Sequence, residues 1–377
     1  MPYKKLIALF TALFLSVAAS EAFSAEAPVI DDSTLIGSNY GYPSGVPGKG
    51  RPLAGELDLV AETVVYTKNL ELVGVEVGGE TFIGFFSPIR MRYGIDNNIT
   101  LEAGAFLGYD FGDGSNFDET EPILRLVYEP VADAFIAAGT IIRTHAIHDA
   151  LLDDAAAFNE NTEQGLQFRA DFKNIKQDAW INWRVREETD RSERFDTGWV
   201  TQYRSGDLFL DAQLLLRHTG GQKNSEDIVA YNTAYLLGGS YGLYHGVEVP
   251  FLKRIEEVRV SAHYLGDHDV PDNDSDIPVT NGSGIEGKII VDTRPSNDLK
   301  LSIFASYFKG DDLLALAGDP LYAKDEYAQV GINLIHKLPA GFRIEFGVDG
   351  QFIEGTFAHT EQVYFVWGRS FSLLKGI

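Results

Sequence analysis

The sequence contains no cysteine among its 377 residues, so the folded chain must be stable without disulfide bonds. Beyond residue 19 it has no apolar run of 18 or more residues, which excludes a membrane-spanning helix there. Basic residues are also scarce, because 31 Lys and Arg face 55 Asp and Glu, a formal net charge of −24. Phosphate binding needs a basic surface, so we expect no nucleic-acid partner and a preference for cations.

The first residues have the composition of a secretory signal peptide. Lys4 and Lys5 precede an apolar run at 6–19, and small residues follow. We therefore expect residues 1–22 to be removed, with cleavage near 22–24, and the mature chain to be exported. Residues 23–55 are rich in glycine, proline and serine and show no sustained period, so they are predicted to form an irregular periplasmic leader.

From residue 56 onward, apolar and polar residues alternate in run after run. The clearest pair is 328–334 and 342–348, where one face is wholly apolar and the other carries polar residues and glycine. Each run has about ten residues, the length of a tilted transmembrane strand. We count about sixteen such runs, near 56–66, 80–93, 98–110, 121–129, 133–143, 164–173, 177–187, 195–204, 207–217, 229–240, 256–265, 283–293, 298–308, 325–336, 342–353 and 361–372.

The connections between these runs alternate between short and long. The short ones are 94–97, 130–132, 174–176, 205–206, 294–297 and 337–341. The long ones are 111–120, 144–164, 188–193, 218–228, 266–281 and 310–324, and 241–255 is longer than the rule predicts. Short turns on one side and long loops on the other are typical of barrels that span the outer membrane, with the short turns facing the periplasm.

With these features the chain resembles bacterial outer-membrane β-barrel proteins of the porin type. The last run, 363–371, also ends on an aromatic residue as such barrels do, although Arg369 and the residues after Phe371 depart from that pattern. The resemblance implies an all-β fold: a transmembrane antiparallel β-barrel formed by residues 56–377, in contact with outer-membrane lipid. It also leaves a homo-oligomer open, since general porins are often trimers.

The inward face of the predicted barrel carries charges of both signs. A barrel of this strand number is wide enough for an aqueous channel, in which opposed charges would sort solutes. The alternative is that the charges pair across neighbouring strands and fill the lumen. The candidate pore-lining residues are Arg169, Arg184, Arg186, Asp207, Asp211, Arg217, Glu257, Arg259, Arg343 and Glu345.

One long connection has its own pattern. Ile147, Leu151, Ala155 and Phe158 recur every three or four residues, which predicts a short amphipathic helix over 146–158. Such a helix could fold into the lumen and narrow the pore, or lie over the mouth of the barrel or against a partner subunit. The sequence leaves these alternatives open.

Metal and catalytic motifs are weak. The acidic loop with Asp269, Asp272, Asp274 and Asp276 offers oxygen ligands for Ca²⁺ but lacks the EF-hand spacing, and a solvated loop is the favoured interpretation. His145 and His148 lie three residues apart without an HExxH pattern. Ser261 and His263 share the inward face of one strand, a pairing easily met by chance. The sequence therefore predicts neither a cofactor nor an enzyme.

A passive channel for small hydrophilic solutes, biased towards cations, is the favoured function. A second hypothesis is a polysaccharide-export conduit that works with a periplasmic partner. Inward aromatic residues favour that hypothesis: Trp180, Phe209, Phe304 and Phe308. A third is a barrel enzyme that hydrolyses lipid, in which Ser261 and His263 would meet a third group at the lipid boundary. A fourth is a structural barrel with a closed lumen.

Overall fold

The computed structural model describes residues 51–73, 79–112, 119–142, 145–154, 162–220, 230–244, 247–249, 253–271, 278–339 and 342–375. The predicted signal peptide and most of the predicted leader lie outside these ranges. Within the described residues no α-helix occurs. A 3-10 helix spans Pro320–Ala323. None of the helices in the described part of the chain is long and apolar enough to cross a membrane.

The chain forms one antiparallel sheet that closes on itself as a barrel of sixteen long strands. This confirms the predicted all-β transmembrane barrel. The strands are β1 Leu57–Val73, β2 Glu80–Gly94, β3 Ile99–Asp110, β4 Glu119–Val131, β5 Ala134–Ile142, β6 Thr162–Phe172, β7 Ile175–Val185, β8 Glu193–Ser205, β9 Leu208–Gly220, β10 Ala230–Tyr244, β11 Val247–Val249, β12 Lys253–Val270, β13 Ser283–Ser296, β14 Leu299–Asp311, β15 Glu326–Lys337, β16 Phe342–Ile353 and β17 Thr356–Leu374. The three-residue β11 pairs with β12 beside the β10–β12 pair, which accounts for the long connection at 241–255.

The seam between the first and last strands closes the barrel. β1 pairs with β2 on one side and with β17 on the other, and the β1–β17 register runs from Leu57 opposite Leu374 to Val73 opposite Phe357. β1 is therefore longer than the run predicted at 56–66. A closed ladder leaves no sheet edge in the hydrocarbon, where an unpaired backbone group would cost several kcal/mol.

The two faces of each strand differ in the way a membrane barrel requires. On β15 and β16, Val330, Ile332 and Phe346 point outward and remain 40–50% exposed, whereas Gln329 and Asp349 point inward, are buried, and share a hydrogen bond of 2.9 Å. A continuous apolar outer surface is unfavourable in water and favourable against acyl chains. The barrel therefore lies in the bacterial outer membrane, as predicted.

Residues 145–154, which we call the plug, cross the lumen. Ile147 and Leu151 are at most 1% exposed. Asp154 of the plug pairs with Lys68 of β1 at 2.5 Å, and the His148 backbone N–H donates to Gln213 Oε1 of β9 at 2.6 Å. β1 and β9 lie on opposite sides of a sixteen-stranded ring, so the plug spans it.

The helix predicted over 146–158 is wrong in its described part. Residues 145–154 form turns, with the Leu151 N–H donating to the His148 carbonyl at 2.8 Å, and residues 155–158 lie outside the described ranges. Ile147 and Leu151 are buried as their spacing implied, but they pack against strands from several directions rather than along one helical stripe.

His145 anchors the plug to the barrel wall. Its Nδ1 lies 2.8 Å from Asp178 and its Nε2 lies 2.8 Å from Glu163, and its ring stacks on Trp180 with centroids 3.5 Å apart. The Trp180 ring in turn lies over Gly198, where a Cβ would come within 2.0 Å of it. Burial alone would lower the pKa of His145, but the two carboxylates outweigh it and raise the pKa from 6.5 to about 9.

Placing a cationic side chain on the outward face should destabilise the barrel by an amount that depends on the depth of that residue in the bilayer. We expect Ile332→Arg, in the middle of β15, to lower the free energy of unfolding by about 2–4 kcal/mol, because an exposed guanidinium is costly at the centre of the bilayer. The control is Leu208→Arg at the periplasmic end of β9, which should cost about 0–1 kcal/mol. Urea unfolding in lipid vesicles measures both, and equal losses would contradict the assigned membrane depth.

The contacts of His145 with Asp178 and Glu163, which we call the His145 clamp, should make the free energy of unfolding depend on pH. The pKa of His145 is about 9 in the folded chain and 6.5 in the unfolded chain. The contribution of His145 to the free energy of unfolding is therefore fully present below pH 6.5 and is lost as the pH rises through about 9. Unfolding midpoints measured between pH 6 and 10 should therefore fall more steeply for the native chain than for His145→Gln. Parallel pH profiles for the two proteins would exclude the clamp.

Candidate functional site

A second segment covers the plug on its extracellular side. Residues 312–325, which we call the outer segment, connect β14 to β15 and pack directly on it. The Asp153 N–H donates to the Ala317 carbonyl at 2.7 Å, and the Asp319 N–H donates to the Asp149 carbonyl at 2.9 Å. The backbones approach so closely that a Cβ at Gly318 would lie 2.1 Å from the Ala150 carbonyl oxygen. The two segments therefore form one packed unit inside the barrel.

Beneath this unit lies a group of His148, His263 and Glu286, which we call the histidine–glutamate cluster. His148 Nε2 is 2.9 Å from Glu286 Oε2, and His263 Nδ1 is 3.5 Å from the same oxygen. The three residues are 2%, 4% and 1% exposed. Tyr322 of the outer segment donates its hydroxyl to Glu286 Oε1 at 3.3 Å. The cluster thus joins the barrel wall, the plug and the outer segment.

The wall positions of the cluster follow from strand register. His263 on β12 and Glu286 on β13 are direct cross-strand partners, and both face the lumen because β residues alternate between faces. On the other side of β12, His263 faces Gly238 of β10. A Cβ at Gly238 would come within 2.3 Å of the His263 ring. The absence of a side chain there gives the imidazole room to lie against the wall.

The proton on His148 is positioned by its surroundings. The Ala150 backbone N–H donates to His148 Nδ1 at 3.2 Å, so Nε2 carries the ring proton and donates to Glu286. Burial raises the pKa of Tyr322 well above its ordinary value, and the Glu286 carboxylate raises it further. Tyr322 therefore remains a neutral donor to that carboxylate.

Asp211 of β9 is the next polar group. Its Oδ2 accepts a hydrogen bond from Gln213 Nε2 at 2.9 Å, whereas its Oδ1 is buried without a hydrogen-bond partner. Asp211 and His263 are the cross-strand partners of Gly238 on its two sides, so their side chains face the lumen on neighbouring strands. His263 Nδ1 is likewise buried without a hydrogen bond of good geometry, and its nearest polar contact is Glu286 Oε2 at 3.5 Å. Two unsatisfied polar atoms beside a buried carboxylate are unusual in a folded interior.

Apolar side chains surround the cluster. Leu236, Leu265 and Phe308 are completely buried, and Phe308 packs edge-on against Tyr322 with ring centroids 5.1 Å apart. Water is largely excluded from this region, so electrostatic interactions between the polar groups are strong. Imidazoles and carboxylates in such a setting can transfer protons, and their nitrogen and oxygen atoms can bind a metal ion.

The ten candidate pore-lining residues are not gathered at one constriction. Asp211 lies beside the cluster. Ion pairs join Arg184 and Arg217 to Asp196, Glu257 to Arg259, and Arg343 to Glu345. Arg169 lies in β6 and is half-buried, whereas Arg186 and Asp207 are exposed at strand ends. The pore-lining role of these residues stays a prediction.

The predicted acidic loop is described only in part. Asp269 is 8% exposed, and its Oδ1 accepts a hydrogen bond from Asn232 at 3.2 Å. Asp272, Asp274 and Asp276 lie outside the described residues. The calcium interpretation of this loop therefore stays a prediction.

The sequence pointed to some members of the cluster but not to their assembly. His263 does meet a third group, Glu286, but inside the lumen rather than at the lipid boundary. The hydroxyl of Ser261 is 3.4 Å from the Lys288 carbonyl oxygen, and it is not a partner of His263 in the described contacts. His148 and Tyr322 arrive from two different connections. Sequence reasoning missed Glu286 because it did not predict the cross-strand register that places His263 opposite Glu286.

Comparison with solved structures supports the fold. The anion-selective porin of Comamonas acidovorans aligns with a TM-score of 0.52 and 10% identity, over 83% of this chain and 100% of that chain. A loop-deletion mutant of the outer-membrane protein OmpT of Vibrio cholerae aligns with a TM-score of 0.51 and 10% identity, over 83% and 100%. At this identity the likeness shows the fold alone, and it bears out the porin-like resemblance. No curated protein sequence matches the chain.

The sequence profile of the lipid A 3'-O-deacylase-type proteins matches residues 48–373, nearly the whole predicted mature chain. These proteins are an enzyme family, so the expectation that the chain is not an enzyme was wrong. The groups of the histidine–glutamate cluster come from separate strands and loops, so they form no motif of neighbouring residues along the chain. The chain belongs to the lipid A 3'-O-deacylase-type family of outer-membrane β-barrels.

Proposed function

We propose that this chain is an outer-membrane hydrolase that removes an ester-linked acyl chain from a lipid A-type glycolipid. The observation that carries the proposal is the buried histidine–glutamate cluster within a barrel of a deacylase family. In the reaction, the oxygen of a water molecule attacks the ester carbonyl carbon, and the bond from that carbon to the sugar oxygen breaks. The products are a fatty acid and the sugar hydroxyl.

The cluster offers groups for the proton transfers. The attacking water must lose a proton, and the leaving sugar oxygen must gain one. His263 Nδ1 and Asp211 Oδ1 are buried and make no hydrogen bond of good geometry, so these two atoms are the candidates for accepting a proton, with Glu286 Oε2 3.5 Å from His263 Nδ1. Glu286 stabilises positive charge on either imidazole. The apolar surroundings strengthen these interactions.

The extracellular rim has features that suit an acylated, anionic lipid. Leu314 and Leu316 of the outer segment are 43% and 51% exposed. Arg217 lies beside them and donates to the Leu316 carbonyl at 3.2 Å. Apolar side chains next to a guanidinium complement acyl chains next to a phosphate group, which would compete with Asp196 for Arg217. This supports entry of the substrate from the outer leaflet side.

The passive channel receives less support. The plug contacts β1 and β9 on opposite sides of the lumen and is held by a buried ion pair at one end and the His145 clamp at the other. A fixed segment across the lumen obstructs diffusion of either small solutes or a polysaccharide. It favours a filled barrel with a chemical site.

The hydrolase proposal is tested by incubating the refolded protein in detergent micelles with lipid A. Mass spectrometry should show loss of an acyl chain and release of the corresponding fatty acid. We expect His263→Gln and Glu286→Gln to lower the rate by at least about 100-fold, in the range of losing one proton-transfer group. The control is His336→Gln at the periplasmic end of β15, which should retain the native rate.

Heat-modifiable migration in gel electrophoresis establishes that each variant is folded. A folded native protein that releases no fatty acid from lipid A would refute the function. Full activity in His263→Gln would refute the assignment of the site. These two results are distinguishable, because the first concerns the native protein and the second only its variant.

The plug should keep the native barrel closed to ions. In planar bilayers we expect no steady conductance from the native protein and a large increase from the double variant Lys68→Met, His145→Gln. Both charged anchors of the plug are then lost, because Asp154 loses its lysine and Glu163 and Asp178 lose the His145 imidazole. Lys309→Met, which removes an exposed cation at the end of β14, is the matched control. Steady conductance through the native protein would contradict the plugged lumen.

A further inference from the structure

We infer that the barrel wall has a lateral passage between β4 and β5, through which an acyl chain of a membrane lipid enters the lumen. The passage is formed by residues 119–124 of β4 and 140–142 of β5, which we call the wall break. The inference goes beyond the proposed function, because it concerns how a lipid reaches the interior and does not depend on hydrolysis. Four features carry it: the end of the ladder, the side chains that bridge it, its depth in the bilayer and its apolar lining.

The ladder between β4 and β5 ends before either strand does. Its last described pair is Arg125 opposite Gly139, and the described residues beyond that pair, 119–124 and 140–142, form no ladder pair with each other. Each of these segments stays paired on its other side, to β3 or to β6. Gly139 has a φ of +109°, which residues with a side chain rarely adopt, and a Cβ there would lie 2.1 Å from the Leu124 carbonyl oxygen. The glycine thus permits a change of backbone direction where pairing stops.

Side chains take the place of the missing ladder pairs. The Leu124 N–H donates to Thr140 Oγ1 at 3.1 Å, and the Thr140 hydroxyl donates to the Pro122 carbonyl at 3.3 Å. Residues 122 and 124 therefore point their backbone groups towards β5, and Pro122 has no N–H to leave unpaired. Thr162 of β6 also donates its hydroxyl to the Glu121 carboxylate. The seam can open here without exposing a row of backbone N–H groups to hydrocarbon.

The wall break lies at the depth of the outer-leaflet acyl chains. Phe85, Tyr109 and Phe111 form an aromatic group on the outer face near the extracellular ends of β2 and β3, with ring centroids 5.8–6.3 Å apart. Aromatic girdles mark the interfaces of a membrane barrel. Pro122 is opposite Ala105 of β3, which lies to the periplasmic side of Tyr109 on the same strand. The wall break therefore faces lipid rather than water.

Apolar side chains border the wall break on both surfaces of the wall. Leu124 is 60% exposed on the outer face. Ile123 and Ile141, one on each side of the break, are at most 2% exposed and face the lumen. Ile123 packs within a buried apolar group on the inner wall that includes Phe86 and Phe106. Apolar side chains on both sides of an unpaired wall favour an acyl chain over water or an ion.

The edges of the wall break favour a lipid over a pairing strand. An unpaired edge can bind a strand of a second chain. Here, however, Pro122 offers no N–H to such a strand, and the Leu124 N–H already donates to Thr140. The neighbours available at this depth are acyl chains, since the outer face of the barrel contacts lipid. The passage binds the chain and not the headgroup, so phospholipid and a lipid A-type glycolipid are both sources of that chain.

The chain contains no cysteine, so a disulfide can be introduced to lock the seam. In the variant Leu124→Cys, Thr140→Cys, oxidation joins the two strands across the wall break. The matched control is Leu126→Cys, Ala138→Cys, an outward cross-strand pair in the intact ladder of the same strands. Each protein is refolded into phosphatidylcholine vesicles that include phosphatidylcholine with a diazirine in one acyl chain. After illumination, mass spectrometry identifies the labelled residues.

We expect the native chain to be labelled at the lumen-facing Ile123 and Phe106 as well as on its outer face. Oxidation of Leu124→Cys, Thr140→Cys should abolish the lumen-facing label, and reduction should restore it, whereas the control should keep that label in both states. Thr140→Val removes the bridging hydroxyl and should increase the lumen-facing label. Heat-modifiable migration checks that each protein is folded, and loss of free thiols checks that each disulfide has formed.

A folded native protein without label on its lumen-facing residues would overturn the passage. Equal lumen-facing label in the oxidised and reduced forms of Leu124→Cys, Thr140→Cys would overturn it too, because the label would then have entered by another route. Unlabelled lipid A added to the vesicles distinguishes the two sources. A lower lumen-facing label would support a passage that admits lipid A, and an unchanged label would support one that admits phospholipid.

The same samples separate the passage from the proposed function. Lumen-facing label without release of fatty acid from lipid A would support the passage and refute the hydrolase. Release of fatty acid by a native protein whose lumen-facing residues stay unlabelled would support the hydrolase and refute the passage.

Discussion

The hydrogen-bond ladder between β1 and β17 is the constraint on which the rest of the structure depends. Hydrocarbon offers no partner for a backbone N–H or C=O, so a spanning sheet must close. Closing sixteen strands fixes a wide lumen, and that volume must hold either water or protein. In this chain the plug and the outer segment pack into it. The interior of the barrel is therefore built from loops as well as from strand side chains.

An interior of this kind is stable only when its buried charges are paired. The outer surface is apolar because it faces lipid, which leaves the polar residues of each strand facing inward. Lys68 pairs with Asp154, and Glu102 near the periplasmic end contacts Arg92 and Arg125. Removing one member of a buried pair leaves an uncompensated charge and is strongly destabilising. The same pairs that neutralise the lumen thus keep its contents in place.

Local patterns predicted most of the barrel and little of the site. The alternation of apolar and polar residues places Val330 outward and Gln329 inward. The alternation of short and long loops gives the direction of each strand. Side-chain orientation and strand direction therefore follow from the sequence alone. The spacing of Ile147 and Leu151 fits a helix and also fits turns that pack among strands, and only the surrounding lumen decides between them. His263 and Glu286 meet through a register across the connection 271–282, which local sequence does not determine. His148 lies in a loop, so no sequence motif predicts the cluster.

The division of the cluster between wall and plug has a mechanical consequence. His263 and Glu286 are fixed by paired strands, whereas His148 and Tyr322 belong to segments that connect strands. A complete site therefore exists only when both segments are seated in the lumen. Any ligand that binds His148 together with the wall residues must stabilise the seated arrangement, because ligands stabilise the state that binds them. Under the proposed function, an acyl substrate would therefore meet two groups fixed by the barrel wall and two that belong to the connecting segments.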